Sequence, residues 1–96
     1  MKKELRGCKK LKAGNEEDFI VYYYMQMDGE KHTYGVFVEC QKVGTQKEIE
    51  YEEITGITDS QEVAEELVTY LMKYEATPIS LPETIDEFIS RKEQEE

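Results

Sequence analysis

The sequence predicts an α+β fold: a three- or four-stranded antiparallel β-meander followed by two α-helices packed on the sheet. Three observations predict it. Phe19–Met27 (FIVYYYMQM) and Tyr34–Gln41 (YGVFVECQ) are rich in β-branched and aromatic residues, and only a short polar loop opened by Asp28-Gly29 separates them. Lys47–Glu53 (KEIEYEE) follows closely and alternates strictly, as a half-buried strand does. From Asp59 onward the apolar residues change to helical spacing, in two runs divided by Thr77-Pro78.

The elements follow in order. Leu5–Leu11 is a candidate N-terminal strand; Gly7 and the crowded lysines suit it only to a sheet edge, where lysines discourage pairing with other molecules. Along a strand, alternate residues share a face. Phe19, Val21, Tyr23 and Met25 form one set, Tyr34, Val36, Val38 and Cys40 a second, and Ile49 and Tyr51 a third. Together they make one core face, with Glu48, Glu50 and Glu52 pointing the other way. Gly44 marks the turn before the third strand, and Gly56 is expected to end it.

The first helix is expected to start at Asp59, with Glu62 completing a capping box; Thr58 with Gln61 is a competing register. Val63, Leu67, Leu71 and Tyr74, with Ala64 and Val68, form its apolar stripe, and Glu62, Glu65 and Glu66 face solvent. It ends near Glu75. The second helix opens on Ser80 with Glu83, again a capping-box spacing, and Pro82 falls in the first turn, where its missing N–H does no harm. Leu81, Ile85, Phe88 and Ile89 are its stripe.

Ninety-six residues make one domain, 1–96, with residues 1–4 and 91–96 too polar to hold in place and expected to be flexible. The balance of 22 acidic to 12 basic residues argues against attraction of the whole chain to nucleic acid or anionic lipid. Half the basic residues lie in one segment: Lys2, Lys3, Arg6, Lys9, Lys10 and Lys12, opposed only by Glu4. No apolar leader and no stretch near the roughly 20 apolar residues of a membrane span occurs, so the expected setting is cytoplasmic with no membrane partner. Cys8 and Cys40 have no CxxC spacing and are expected to stay reduced.

Little in the chain carries chemistry. His32, the only histidine, lies in the polar loop DGEKHT with no cysteine beside it. No ligand set has metal-site spacing, and the glycines at 29, 35, 44 and 56 are separate, not a phosphate loop. Acidic pairs such as Glu16-Glu17 and Glu52-Glu53 sit in solvated polar runs, where nothing shifts a carboxyl toward a general acid. The expectation is no enzyme, no catalytic or metal-binding residue and no cofactor.

One feature exceeds the background. Ile20, Tyr22 and Tyr24, with Phe37, make the opposite face of the sheet apolar too, whereas a one-sided antiparallel sheet carries polar residues there. These four residues are the candidate interaction surface. Its cover is either the second helix and the N-terminal segment, or another molecule: a second copy or a protein partner. Stacked aromatics on a sheet also suit single-stranded RNA, but Glu48, Glu50 and Glu52, placed on the same side, would repel phosphate.

YYYMQM, YGVFVEC and ITDSQEVAEELVTYLMKYEATPISLPETIDEFI together resemble a small family of uncharacterised proteins from Clostridia and related Firmicutes, a domain of unknown function. Tyr34-Gly35 and Thr77-Pro78 carry the resemblance, which spans roughly residues 19–90 and leaves the basic N-terminus outside. It implies a cytosolic bacterial protein and carries over no activity or binding residue. The expected function is a small non-enzymatic interaction or regulatory module able to self-associate. The alternatives are a nucleic-acid-associated regulator using the Lys-rich segment, and a small ligand-binding domain or enzyme with a pocket between sheet and helices.

Overall fold

A computed structural model of the chain describes residues 2–12, 18–43 and 49–94. Four strands, β1 (Lys2–Lys12), β2 (Asp18–Asp28), β3 (Thr33–Lys42) and β4 (Ile49–Thr58), precede two helices, α1 (Gln61–Lys73) and α2 (Leu81–Gln94). The strands form one antiparallel sheet in the order β1-β2-β3-β4, the meander that short connections dictate. Expectations for the turn at Gly44, for Lys47 and Glu48, for the Glu16-Glu17 pair, and for Met1, Glu95 and Glu96 fall outside the described residues.

The N-terminal segment is a full edge strand. Lys2–Glu4 pair with Met27–Met25, so the lysine-rich end is held by backbone bonds even though its side chains stay in water. A register shift lies between Leu5 and Gly7, leaving Arg6 as the extra residue of a bulge. Arg6 turns toward the helices and donates to Glu65 Oε1 at 2.9 Å. Arg91–Gln94 form the last turn of α2.

β4 departs from the sequence reading in two ways. It runs on through Gly56 to Thr58 instead of ending there. Gly56 holds φ 65°, which only glycine adopts readily, and it sits in a bulge: Val36 pairs with Ile54, whereas Tyr34 pairs with Thr58. The bulge presses β4 backbone onto β3, so a Cβ at Gly35 would overlap the Ile54 carbonyl oxygen and come within 2.8 Å of Thr55 Cα. The side-chain phase is also reversed. Tyr51 pairs with Glu39 and Glu53 with Phe37, while Glu50 and Glu52 pair with Cys40 and Val38. Tyr51 is therefore off the core face and 62 % exposed, and Glu50 and Glu52 lie on the helix side, beyond the helices' cover. A one-residue slip exchanges every side chain between faces.

The core lies between one sheet face and the helices. Val21, Tyr23, Met25, Val36 and Val38 meet Ala64, Leu67, Val68 and Leu71 of α1 and Leu81, Ile85 and Phe88 of α2. Burying each of the larger aliphatic side chains contributes about 1.5–3 kcal/mol. Tyr74 and Ile89 were expected in the stripes but are exposed. Tyr74 packs instead against Tyr70, with centroids 4.6 Å apart and ring planes tilted by 49°.

The N-cap of α1 falls one residue from the predicted one, whereas α2 starts directly after Ser80 as predicted. Ser60, not Asp59, is the N-cap of α1, its Oγ accepting from Val63 N at 3.3 Å. At the other end Glu75 N donates to Met72 O and Ala76 N to Leu71 O, a Schellman motif with Glu75 in the left-handed region at φ 53°. The capping box of the connection is Thr77 with Ser80 instead of Ser80 with Glu83. Thr77 N donates to Ser80 Oγ at 2.9 Å and Ser80 N to Thr77 Oγ1 at 3.4 Å. Tyr23 Oη, from the middle of the sheet, donates to Ala76 O at 2.8 Å and ties this connection to the core.

Candidate interaction face

The sheet face turned away from the helices is built by pairing register. Leu5, Tyr24, Phe37 and Glu53 form one row across the four strands, and Cys8, Tyr22, Glu39 and Tyr51 the next. Ile20 lies between Lys10 and Gln41, and Gln26 between Lys3 and Gly35. All four residues proposed from the sequence, Ile20, Tyr22, Tyr24 and Phe37, are thus on one face. Tyr51, Leu5, Lys3, Glu39 and Glu53 join them, and were not assigned there. For Tyr51 a signal existed: β4 carries apolar residues at 49 and 51 and then at 54, and only a bulge or a slip reconciles the two phases.

No described element covers this face. The residues of α2 that are buried belong to the core on the other side, so the second helix is not its cover. The N-terminal segment extends the face sideways as β1.

The aromatic side chains pack on one another. Phe37 meets Tyr24 edge-on at 5.6 Å and 79°, and stacks on Tyr51 at 5.3 Å and 15°. Lys3 Nζ lies 3.8 Å from the Phe37 centroid and 4.9 Å from that of Tyr24, capping the pair with a cation. This lateral packing leaves Phe37 only 9 % exposed, while Leu5 and Tyr51, flanking the row, stay more than half exposed. Burial pushes the Tyr24 hydroxyl pKa up, and Glu39 and Tyr22 add to it.

Polar groups edge the cluster. Gln26 Nε2 donates to Glu53 Oε2 at 2.9 Å, and Gln41 Nε2 to Glu39 Oε2 at 3.0 Å. Gln26 is buried, and its Oε1 has no donor among the described residues. Lys10 pairs with Asp18 at 3.5 Å.

Elsewhere the chemistry is sparse. His32 is exposed in its turn at φ 55°. Cys8 and Cys40 are free thiols. Burial, and then the neighbouring Glu50, push the Cys40 pKa up, away from a reactive thiolate. Cys40 lines an apolar groove of about 280 Å³ at the end of the sheet, with Leu11, Phe19, Pro78 and Ile79. Among the described residues no three His, Cys, Asp or Glu side chains form a metal-binding set. No described helix is long and apolar enough to cross a membrane.

The chain is thus a small α+β domain with one sheet face closed by helices and the other aromatic and uncovered by any described element. It belongs to the Family of unknown function (DUF6514), which matches residues 2–91. That match takes in the basic β1 strand, which the sequence resemblance left out. No curated protein and no solved structure matches the chain.

Proposed function

We propose that the protein is a non-enzymatic interaction module of the bacterial cytoplasm whose open aromatic sheet face is its contact surface. One observation carries this: a four-stranded sheet whose second face presents Ile20, Tyr22, Tyr24, Phe37 and Tyr51 with no described element over it. Tyrosines suit such a surface, since each buries a large ring and keeps a polar tip for a partner. The non-enzymatic part rests on the sequence, in which His32 stands in a polar loop and acidic pairs such as Glu52-Glu53 lie in solvated runs. The bacterial and cytoplasmic parts rest on the resemblance to proteins of Clostridia and related Firmicutes.

Single-stranded nucleic acid is a second reading of the same face. Lys3 beside stacked aromatics favours it, and Glu50 and Glu52 no longer oppose it because register places them on the other side. Glu39 and Glu53 take their place on the open face, and they would repel phosphate. A photoreactive phenylalanine analogue at position 22, against one at exposed position 83 on α2, tests the face in the cell of origin. Protein adducts at 22 and none at 83 are expected. Equal yields at both, or adducts at 22 to RNA alone, would refute the protein-interaction reading.

A further inference from the structure

The open face is divided by charge. One flank, β1, carries Lys3 and Lys10; the other, β3 and β4, carries Glu39 and Glu53. Tyr24 and Phe37 lie between Leu5 and Glu53, Glu39 lies between Tyr22 and Tyr51, and Lys3 reaches from β1 over the Tyr24 and Phe37 rings. Lys3 caps rings instead of meeting a carboxylate. Glu39 and Glu53 are held by amides instead of meeting a cation. These three charges are positioned but have no ion-pair partner among the described residues.

We propose that the occupant of this face is a second copy of the same chain, packed sheet to sheet about a two-fold axis that runs parallel to the strands. The proposal rests on the interaction reading above and names its partner. In aligned face-to-face packing, two stacked sheets keep their strands within about 30° of each other. A two-fold axis lying between them therefore runs either along the strands or across them. Across the strands, β1 would lie over β1, placing lysine on lysine, and β4 over β4, placing glutamate on glutamate. Along the strands, β1 of one copy lies over β4 of the other. Leu5 then faces the partner's Glu53 with Lys3 one row away on the same strand, Lys10 lies diagonal to the partner's Glu39, and symmetry makes each approach twice. Only the second arrangement satisfies the charges while stacking the aromatic rows on each other.

The size of the face is compatible. Four strands about 4.8 Å apart and ten residues long at about 3.3 Å each give roughly 19 by 33 Å. That is about 630 Å² on each copy, near the lower bound of specific interfaces. The dimer is accordingly expected to be a reversible one of modest affinity. Gln26 Oε1, without a donor among the described residues, lies in the row next to the aromatic one.

Sedimentation of the full chain over a concentration series tests this. Wild type is expected to pass from monomer to dimer and no further, and to dissociate as salt is raised from about 0.05 to 0.5 M. Lys3→Glu makes the face acidic; Glu39→Lys with Glu53→Lys makes it basic. Each variant, its fold verified by circular dichroism and a cooperative melt, is expected to be monomeric alone. Mixed in equal amounts, the two should recover a one-to-one dimer. A wild-type dimer that tightens with salt, or variants that fail to associate on mixing, overturns the arrangement. Should a variant not fold, carbodiimide cross-linking of mixed isotopically light and heavy wild type keeps the question open to refutation. A Lys3–Glu53 cross-link between light and heavy chains is expected, and a dimer lacking it overturns the axis. A wild type that stays monomeric at high concentration overturns the second copy as occupant. Position-22 adducts to a different protein would then leave the interaction reading standing, and their absence would remove both.

Discussion

Replacing Tyr23 with phenylalanine isolates one hydrogen bond between the sheet and the connection of the two helices. Tyr23 is wholly buried, and its hydroxyl donates to the carbonyl oxygen of Ala76, itself 2 % exposed. Tyr23→Phe keeps the ring and its packing. It removes a net contribution of about 1 kcal/mol and leaves a buried carbonyl short of a donor, for a total of about 1–3 kcal/mol near neutral pH. The same hydroxyl supplies a second, independent signature. Burial, with Glu75 and Cys40 nearby, pushes its pKa from 10.0 up to about 12. A raised acid pKa means that the folded state holds the proton longer than the unfolded state does. Its contribution is fully present below pH 10 and is lost as pH rises toward 12. Two pH units amount to roughly 3 kcal/mol. Urea melts of both proteins at pH 7, 9, 10 and 11 should therefore show the variant less stable at pH 7, with the gap narrowing above about pH 10. Equal stabilities at pH 7, or a gap that stays constant to pH 11, would refute the assignment of Tyr23 as the anchor of the connection.

Three further predictions concern the frame. Leu67→Ala is expected to cost about 2–5 kcal/mol in a denaturant melt, against less than about 1 kcal/mol for Glu65→Ala, which loses only a partly exposed pair with Arg6; equal costs would mean that α1 packs on its other side. Gly35→Ala is expected to destabilise by about 1–3 kcal/mol or more, because its Cβ meets β4 backbone that cannot yield as a side chain would; a neutral outcome in thermal melts would place the β4 bulge elsewhere. Glu75→Gly is expected to raise stability by roughly 1 kcal/mol, relieving the left-handed backbone of the Schellman turn; a loss in the same melt would show that the Glu75 side chain outweighs its backbone.

The sequence by itself determined the kind and order of the elements and left open whether the strands were three or four. β2 and β3 are legible because each repeats its apolar set every second residue without interruption, and α1 and α2 because their stripes recur every three to four residues. Its candidate face was also legible: Ile20, Tyr22, Tyr24 and Phe37 lie on two strands joined by a turn too short to change their relative phase. Tertiary structure decided what local pattern leaves degenerate. Serine, threonine and aspartate follow one another at 58–60, and each can cap a helix, so only the geometry of the chain leaving β4 selects Ser60. β4 carries two apolar phases, and pairing with β3, through the bulge at Gly56, fixed which one faces the helices and put Tyr51 and Glu53 on the open face. Which face the helices cover depends on contacts between residues distant in sequence. Leu67 and Leu71 share one buried core with Val21, Met25 and Val36, and no period within one segment encodes that choice. The division of charge across the open face has the same origin. Lysines 3 and 10 and glutamates 39 and 53 are far apart along the chain, and only the strand order β1-β2-β3-β4 sets the lysines on one edge strand and the glutamates on the two strands at the other side of the face.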